Sequence, residues 1–125
     1  MKYTTEILPA VEPTAIAQAA ARAAGVLAAG EVVAIPTETV YGLAASAVDE
    51  AAVARIYAAK GRPSSNPLIV HVASIEMARR CVARWTDEAD RLACALWPGP
   101  LTIVLKRSEI IPDVVTAGGA TGALR

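Results

Sequence analysis

Cysteine is scarce in this chain and histidine scarcer, leaving Cys81, Cys94 and His71 as the only residues of those types. The two cysteines have no Cys-x-x-Cys spacing, and one imidazole cannot complete a tetrahedral zinc site with them. The expectation is two reduced, largely buried thiols. With one histidine, no Ser-His-Asp or Cys-His relay can be argued from residue order. Glycine-rich phosphate signatures are also missing. Neither GxxxxGK[ST] nor GxGxxG occurs, so any nucleotide site here is neither a P-loop nor a Rossmann site. No apolar run approaches the roughly 20 residues of a membrane span, and Met1-Lys2-Tyr3-Thr4-Thr5-Glu6 contains no apolar signal core. These absences lead to the expectation of a soluble cytoplasmic protein without a membrane partner. Net charge is lacking as well: 12 Lys and Arg balance 12 Asp and Glu, which excludes a polycation built to coat nucleic acid.

What remains is a chain of 125 residues, 54% of them hydrophobic, enough for one globular domain with a real core and too few for two. Apolar spacing predicts a helix over 13–29, with Ile16, Ala19, Ala20, Ala23, Val26 and Leu27 on one face and Gly30 as its stop. Val32-Val33-Ala34-Ile35 is a short buried-strand run ended by Pro36. Asp49 can cap a helix reaching about Lys60 with Val53, Ile56 and Tyr57 inward, and Pro63 limits its continuation. Leu68–Val72 is a second strand, and Ser74 and Thr86 are caps for two short helices. The run Trp97-Pro98-Gly99-Pro100 breaks the second of these, and Leu101–Lys106 alternates like a half-buried strand. After Pro112 the chain reads as irregular through Gly118 and Gly119, then Thr121–Arg125 reads as a strand only beginning. Alternating helices and strands predict an α/β layered fold. A last strand of Ala123-Leu124-Arg125 with nothing to cover it would be an exposed edge, so residues 1–125 are expected to form a single, truncated domain.

The most distinctive stretch is Lys60-Gly61-Arg62-Pro63-Ser64-Ser65-Asn66-Pro67-Leu68, a proline-stiffened loop before a strand. Arg offers a planar fork to phosphate or carboxylate, Lys a point charge, and Ser and Asn complete the hydrogen bonding, so the loop suits an anionic ligand. A solvated helix end explains Lys60, since cations favour a helix C-terminus, but explains Arg62, Ser64 and Asn66 poorly. Around this loop, Arg55, Lys60, Arg62, Arg79, Arg80 and Arg84 stand against Glu76 alone, a local positive patch suited to a nucleotide or an RNA backbone.

Two further stretches carry polar groups at strand ends. Pro36-Thr37-Glu38-Thr39-Val40-Tyr41-Gly42-Leu43 follows the first strand, where open α/β sheets bind ligands. Its plain reading is a polar turn in which Thr37 or Thr39 caps a helix and Tyr41 enters the core. His71 shares a strand face with Ile69 and Ala73, opposite Leu68, Val70 and Val72. Its position suits binding better than proton transfer.

Taken together, Ile35–Leu43, Arg55–Pro63, Asn66–Val72 and Trp97–Thr102 resemble, in order and separation, blocks of the Sua5/YrdC/TsaC family of threonylcarbamoyl-AMP synthases. The opening Glu6-Ile7-Leu8-Pro9 before an Ala-rich helix looks like the Sua5 branch. The resemblance implies a YrdC-like twisted, open mixed sheet flanked by helices and cut on its C-terminal side. It also implies a nucleotidyl transfer: L-threonine and bicarbonate form an N-carboxylated amino acid, which attacks the α-phosphate of ATP and releases pyrophosphate. Mg2+ would accompany ATP, and the product would feed t6A37 modification of tRNA through a threonylcarbamoyl transferase. Carried over by motif, Thr39, His71 and Arg125 would contact L-threonine. Arg62, Asn66 and Thr121 would contact ATP, with Lys60 and Arg62 neutralising phosphate charge in catalysis.

Two departures from the family pattern stand out. Ala44 replaces a glycine more usual after Gly42-Leu43. The family's downstream Ser-x-Asn motif is also not within this chain, which leads to the expectation of an incomplete ATP site. Two other readings fit parts of the same signal. One is a non-catalytic YrdC-like module binding tRNA or double-stranded RNA through the basic patch. The other is the related domain of hydrogenase-maturation carbamoyltransferases, which sits in longer chains with zinc-finger and acylphosphatase-like segments not seen here.

Overall fold

A computed structural model describes residues 4–125, so the reading of Met1-Lys2-Tyr3 lies outside the described residues. Helix α1 spans Pro13–Ala28, with proline in its first turn, where its missing N–H costs nothing. It ends before Gly30, whose φ of 79° suits glycine. The predicted face is partly covered: Ala19, Ala23, Val26 and Leu27 are half-buried, Ile16 is 48% exposed, and no residue of α1 is fully buried. Alanine, with the highest helix propensity, gives this helix strong local preference.

Strand β1, Val33–Ile35, is half-buried rather than enclosed. It pairs antiparallel with β2, Gly42–Ala44, from Val33 opposite Ala44 to Ile35 opposite Gly42. The sequence does not reveal β2, because Gly-Leu-Ala lacks the β-branched and aromatic residues that signal strands. Between them, Thr37 organises a turn: its Oγ1 donates to the Val40 carbonyl and accepts from the Val40 amide at 3.3 Å. The expected helix cap is therefore a turn cap. Tyr41, expected in the core, is 77% exposed because the turn points it outward.

Helix α2 spans Glu50–Lys60, and the Asp49 carboxylate accepts the Ala52 amide at 3.1 Å as its cap. Its buried residues are Ala52, Val53, Ile56 and Tyr57, as the spacing predicts. Gly61 closes it in the left-handed region, at φ 59°. Then follow β3 (Ile69–Val70), α3 (Ile75–Cys81), α4 (Asp87–Leu96), β4 (Ile103–Lys106), α5 (Asp113–Thr116) and β5 (Thr121–Leu124). Ser74 and Thr86 cap α3 and α4 through the Met77 and Ala89 amides, at 3.1 Å each. The stretch read as irregular contains α5, a single turn too short for an apolar period to announce it.

The main sheet has the order β3-β5-β4. β5 runs parallel to β3, with Ile69 opposite Ala123 and Val70 opposite Leu124. It runs antiparallel to β4, from Ile103 opposite Leu124 to Lys106 opposite Thr121. The exposed edge expected at Ala123–Arg125 is thus corrected: this strand is the centre of the sheet, hydrogen-bonded on both sides. Strand parity then assigns the faces. Val70, Ile103 and Leu124 are buried on one, where Val53, Tyr57, Ala78, Cys81, Ile111 and Val115 complete the core. Ile69 and Val104 stay open on the other. A second cluster of Ala89, Ala93 and Ile103 packs beneath Trp85 and Trp97, whose rings lie 6.1 Å apart at 44°. No described helix is long and apolar enough to cross a membrane.

One polar clasp ties α3 to α4. Asp90 Oδ1 accepts from Trp85 Nε1 at 2.9 Å and from Arg79 Nη2 at 3.0 Å. These donors, Trp85 first and then Arg79, hold its carboxyl below the usual carboxylate range.

Two stability predictions follow from the core and the clasp. Leu124→Ala, at 1% exposure in the central strand, should cost about 2–5 kcal/mol in urea unfolding. The Asp90 contribution should be fully present above the ordinary carboxylate value and lost as pH falls through that value toward the depressed one. Asp90→Asn should therefore flatten the acid limb of melting temperature against pH, and an unchanged limb would show that the clasp is not linked to folding.

Candidate active site

The parallel pairing of β3 with β5 brings two distant residues together. The Arg125 amide donates to the Val70 carbonyl at 2.9 Å, and the Val72 amide donates to the Arg125 carbonyl at 3.0 Å. His71 is bracketed by those bonds, so the ladder fixes it beside Arg125 at the carboxyl end of both strands, where open α/β sheets place ligands. A cleft of about 670 Å³ opens there, lined by His71, Ser74, Cys94, Trp97, Arg125 and Glu38 among others. One wall is the break after α4. Trp97 Nε1 donates to the Leu101 carbonyl at 2.8 Å, closing the turn through Pro98, Gly99 and Pro100. Gly99 has no room for a side chain, since a Cβ there would lie 2.5 Å from the Leu96 carbonyl oxygen.

The charged groups of the cleft face each other. Arg125 Nε donates to Thr102 Oγ1 at 2.9 Å, and its Nη1 donates to the Glu38 carboxylate. Thr102 reaches Arg125 because β4 and β5 pair with Ile103 opposite Leu124, which sets the flanking residues across from one another. Glu38 arrives from the β1–β2 turn.

The loop after α2 is anchored from below. Tyr57, buried in α2, donates its hydroxyl to the Asn66 carbonyl at 2.7 Å and to the Val114 carbonyl at 3.1 Å. The Asn66 amide closes a turn onto Pro63 at 3.1 Å, and Leu68 joins Val115 at 2.8 Å. Arg62 Nη2 donates to the Pro67 carbonyl at 3.0 Å, while its Nε is buried without an acceptor. A buried donor left unmade costs about 1–3 kcal/mol, so the loop holds unspent hydrogen-bonding capacity.

Of the sequence candidates, His71 and Arg125 share the cleft, and Lys60, Arg62, Asn66, Thr39 and Thr121 are not part of its lining. Lys60 is the exposed last residue of α2, and Asn66 is exposed on its loop. Thr39 stands exposed beside Glu38, with its Oγ1 3.4 Å from Thr37 Oγ1. Thr121 opens β5 opposite Lys106, about 13 Å along the strand from Arg125 at the usual rise per residue. Sequence reasoning gave no role to Glu38 or Thr102. Glu38 lay inside the polar stretch after β1, and Thr102 needed the β4–β5 register, which residue order does not give.

Two other expectations change. Cys81 is buried, and burial pushes its thiol up despite nearby Arg80, but Cys94 is exposed and lines the cleft. The positive patch is partly neutralised from outside its own segment, by Glu31 on Arg55 at 2.6 Å and by Asp90 on Arg79 at 3.0 Å. Among the described residues, no group of three or more His, Cys, Asp or Glu could hold a metal ion.

Comparison with known proteins bears on this arrangement. The model of the Sua5_yciO_yrdC family, described as "Telomere recombination", matches residues 25–125. The threonylcarbamoyl-AMP synthase of Pyrococcus abyssi is 54% identical over 103 residues, covering 82% of this chain and 30% of the relative. That of Bacillus subtilis is 48% identical over 106 residues, covering 84% and 31%. The crystal structure of Pyrococcus abyssi Sua5 complexed with L-threonine superposes with a TM-score of 0.81 at 50% identity, over 92% of this chain and 33% of that one. The chain thus spans about a third of the length of these relatives. Sequence and fold agree across most of its residues, and the chain belongs to the Sua5/YrdC family.

Proposed function

We propose that this chain carries the amino-acid cleft and part of the nucleotide site of a threonylcarbamoyl-AMP synthase, a nucleotidyltransferase. The observation that carries the reading is the placement of His71 beside Arg125 in one cleft. It is supported by a relative, half identical to this chain, that has been solved with L-threonine.

In this reading Arg125 receives the threonine carboxylate, with its guanidinium oriented by Thr102, and His71 and Thr39 meet the remaining polar groups. The threonine amino nitrogen bonds to the carbon of bicarbonate as a C–O bond breaks and water leaves, giving a carbamate. A carbamate oxygen then forms a bond to the α-phosphorus of ATP as the bond between that phosphorus and its bridging oxygen breaks, and pyrophosphate leaves with the electron pair. Such a transfer needs positioning and charge neutralisation more than a covalent catalyst, which fits a cleft with one imidazole. Lys60 and Arg62 take the phosphate charge, Arg62 having a buried Nε that lacks an acceptor within the chain. Asn66 and Thr121 contact the nucleotide.

The cleft's carboxylate, Glu38, is already engaged by Arg125, so the described residues do not form a magnesium cage. Mg2+ would then travel with ATP, held by phosphate oxygens and water as is usual for this ion. The mixed anhydride would pass to a transferase acting on tRNA, giving the t6A modification.

The test is pyrophosphate release by the full reading frame, which should require both L-threonine and bicarbonate; release without threonine would end the reading. Arg62→Ala should lower kcat/KM by about 2–4 kcal/mol, tens- to several-hundred-fold. Arg125→Ala should raise the KM for L-threonine while leaving that for ATP unchanged.

A further inference from the structure

Arg125 enters the cleft with its fork already engaged. Thr102 fixes the Nε edge at 2.9 Å, and Glu38, 87 positions away in sequence, holds a terminal nitrogen. Among the described residues lining the cleft, Arg125 and Glu38 are the pair of opposite charge. Any carboxylate brought to Arg125 must share or replace the one present.

Two observations favour replacement. The pair is only partly shielded, with the Arg125 and Glu38 side chains 26% and 39% exposed, so its net strength is modest and it can open. Glu38 also rides on a turn that is not packed down: Val40 and Tyr41 beside it are 72% and 77% exposed.

We propose that Glu38 is a specificity-determining residue, occupying the carboxylate seat of Arg125 so that a ligand carboxylate binds by exchange and simple anions are turned away. The cost of displacing Glu38 is the same for every anion. A ligand that also reaches His71 and the neighbouring polar groups recovers it through those extra contacts. A lone inorganic anion has no such contacts. The displaced carboxylate also remains nearby, and its charge penalises ligands carrying more than one negative charge. The identity of the ligand as an amino acid rests on the proposed function, whereas the exchange itself does not.

The test is calorimetric titration of the full reading frame with L-threonine and, separately, with inorganic phosphate. Wild type, Glu38→Gln, Glu38→Ala, Arg125→Ala and the Glu38→Gln/Arg125→Ala double variant would be compared, with thermal unfolding checking that each is folded. Both Glu38 variants should bind L-threonine about threefold to tenfold more tightly. They should also gain affinity for phosphate, and both gains should vanish in the double variant. Weaker threonine binding in Glu38→Gln, or no gain for phosphate, overturns the proposal. Should phosphate gain while threonine binds to none of the proteins, the exchange stands and the amino-acid reading of the cleft falls.

Discussion

The double pairing of β5 is the constraint on which the rest of the molecule depends. A strand of four residues is hydrogen-bonded parallel to β3 on one side and antiparallel to β4 on the other. Its parity sends Leu124 into the core and leaves the intervening positions facing the open side. Its end places Arg125 against His71 through the ladder and against Thr102 through the β4 register. A one-residue slip would exchange the faces, burying Arg125 and expelling Leu124 together. Core and cleft are therefore set by one register.

That register explains what could and could not be read from residue order. The capped helices were legible, because Asp49, Ser74 and Thr86 satisfy amide groups within their own turn. The inward faces of α2 and β4 were legible for a similar reason, since periodicity is local. The role of β5 was not. Its residues alternate like those of any strand, and its central position follows from partners far away in the chain. The same limit hid Thr102 and Glu38, which reach Arg125 only when strands and turns remote in sequence meet. Tyr41 failed for another reason: apolar character was taken to mean burial, and it is 77% exposed.

The loop from Lys60 to Leu68 shows a division of labour between the core and its surface. Its chemistry was visible as a run of cations and hydroxyls and its stiffness in its prolines, but its anchoring to the core was not. That comes from Tyr57, a core residue of α2 whose hydroxyl spans the Asn66 and Val114 carbonyls. The left-handed Gly61 turns the chain off the helix, and the Pro63–Asn66 turn carries it back toward β3. In this arrangement Arg62 lies against Pro67 and is not part of the cleft lining that His71 and Arg125 share.

The unequal burial of the two cysteines has a practical consequence. Cys94 lines the cleft and is open to solvent, whereas Cys81 is enclosed and its thiol is held in the unreactive form. The wild-type chain thus offers one addressable sulfur at the place where a ligand would sit. A fluorophore or spin label attached there would report occupancy of the cleft directly, without any engineered attachment point.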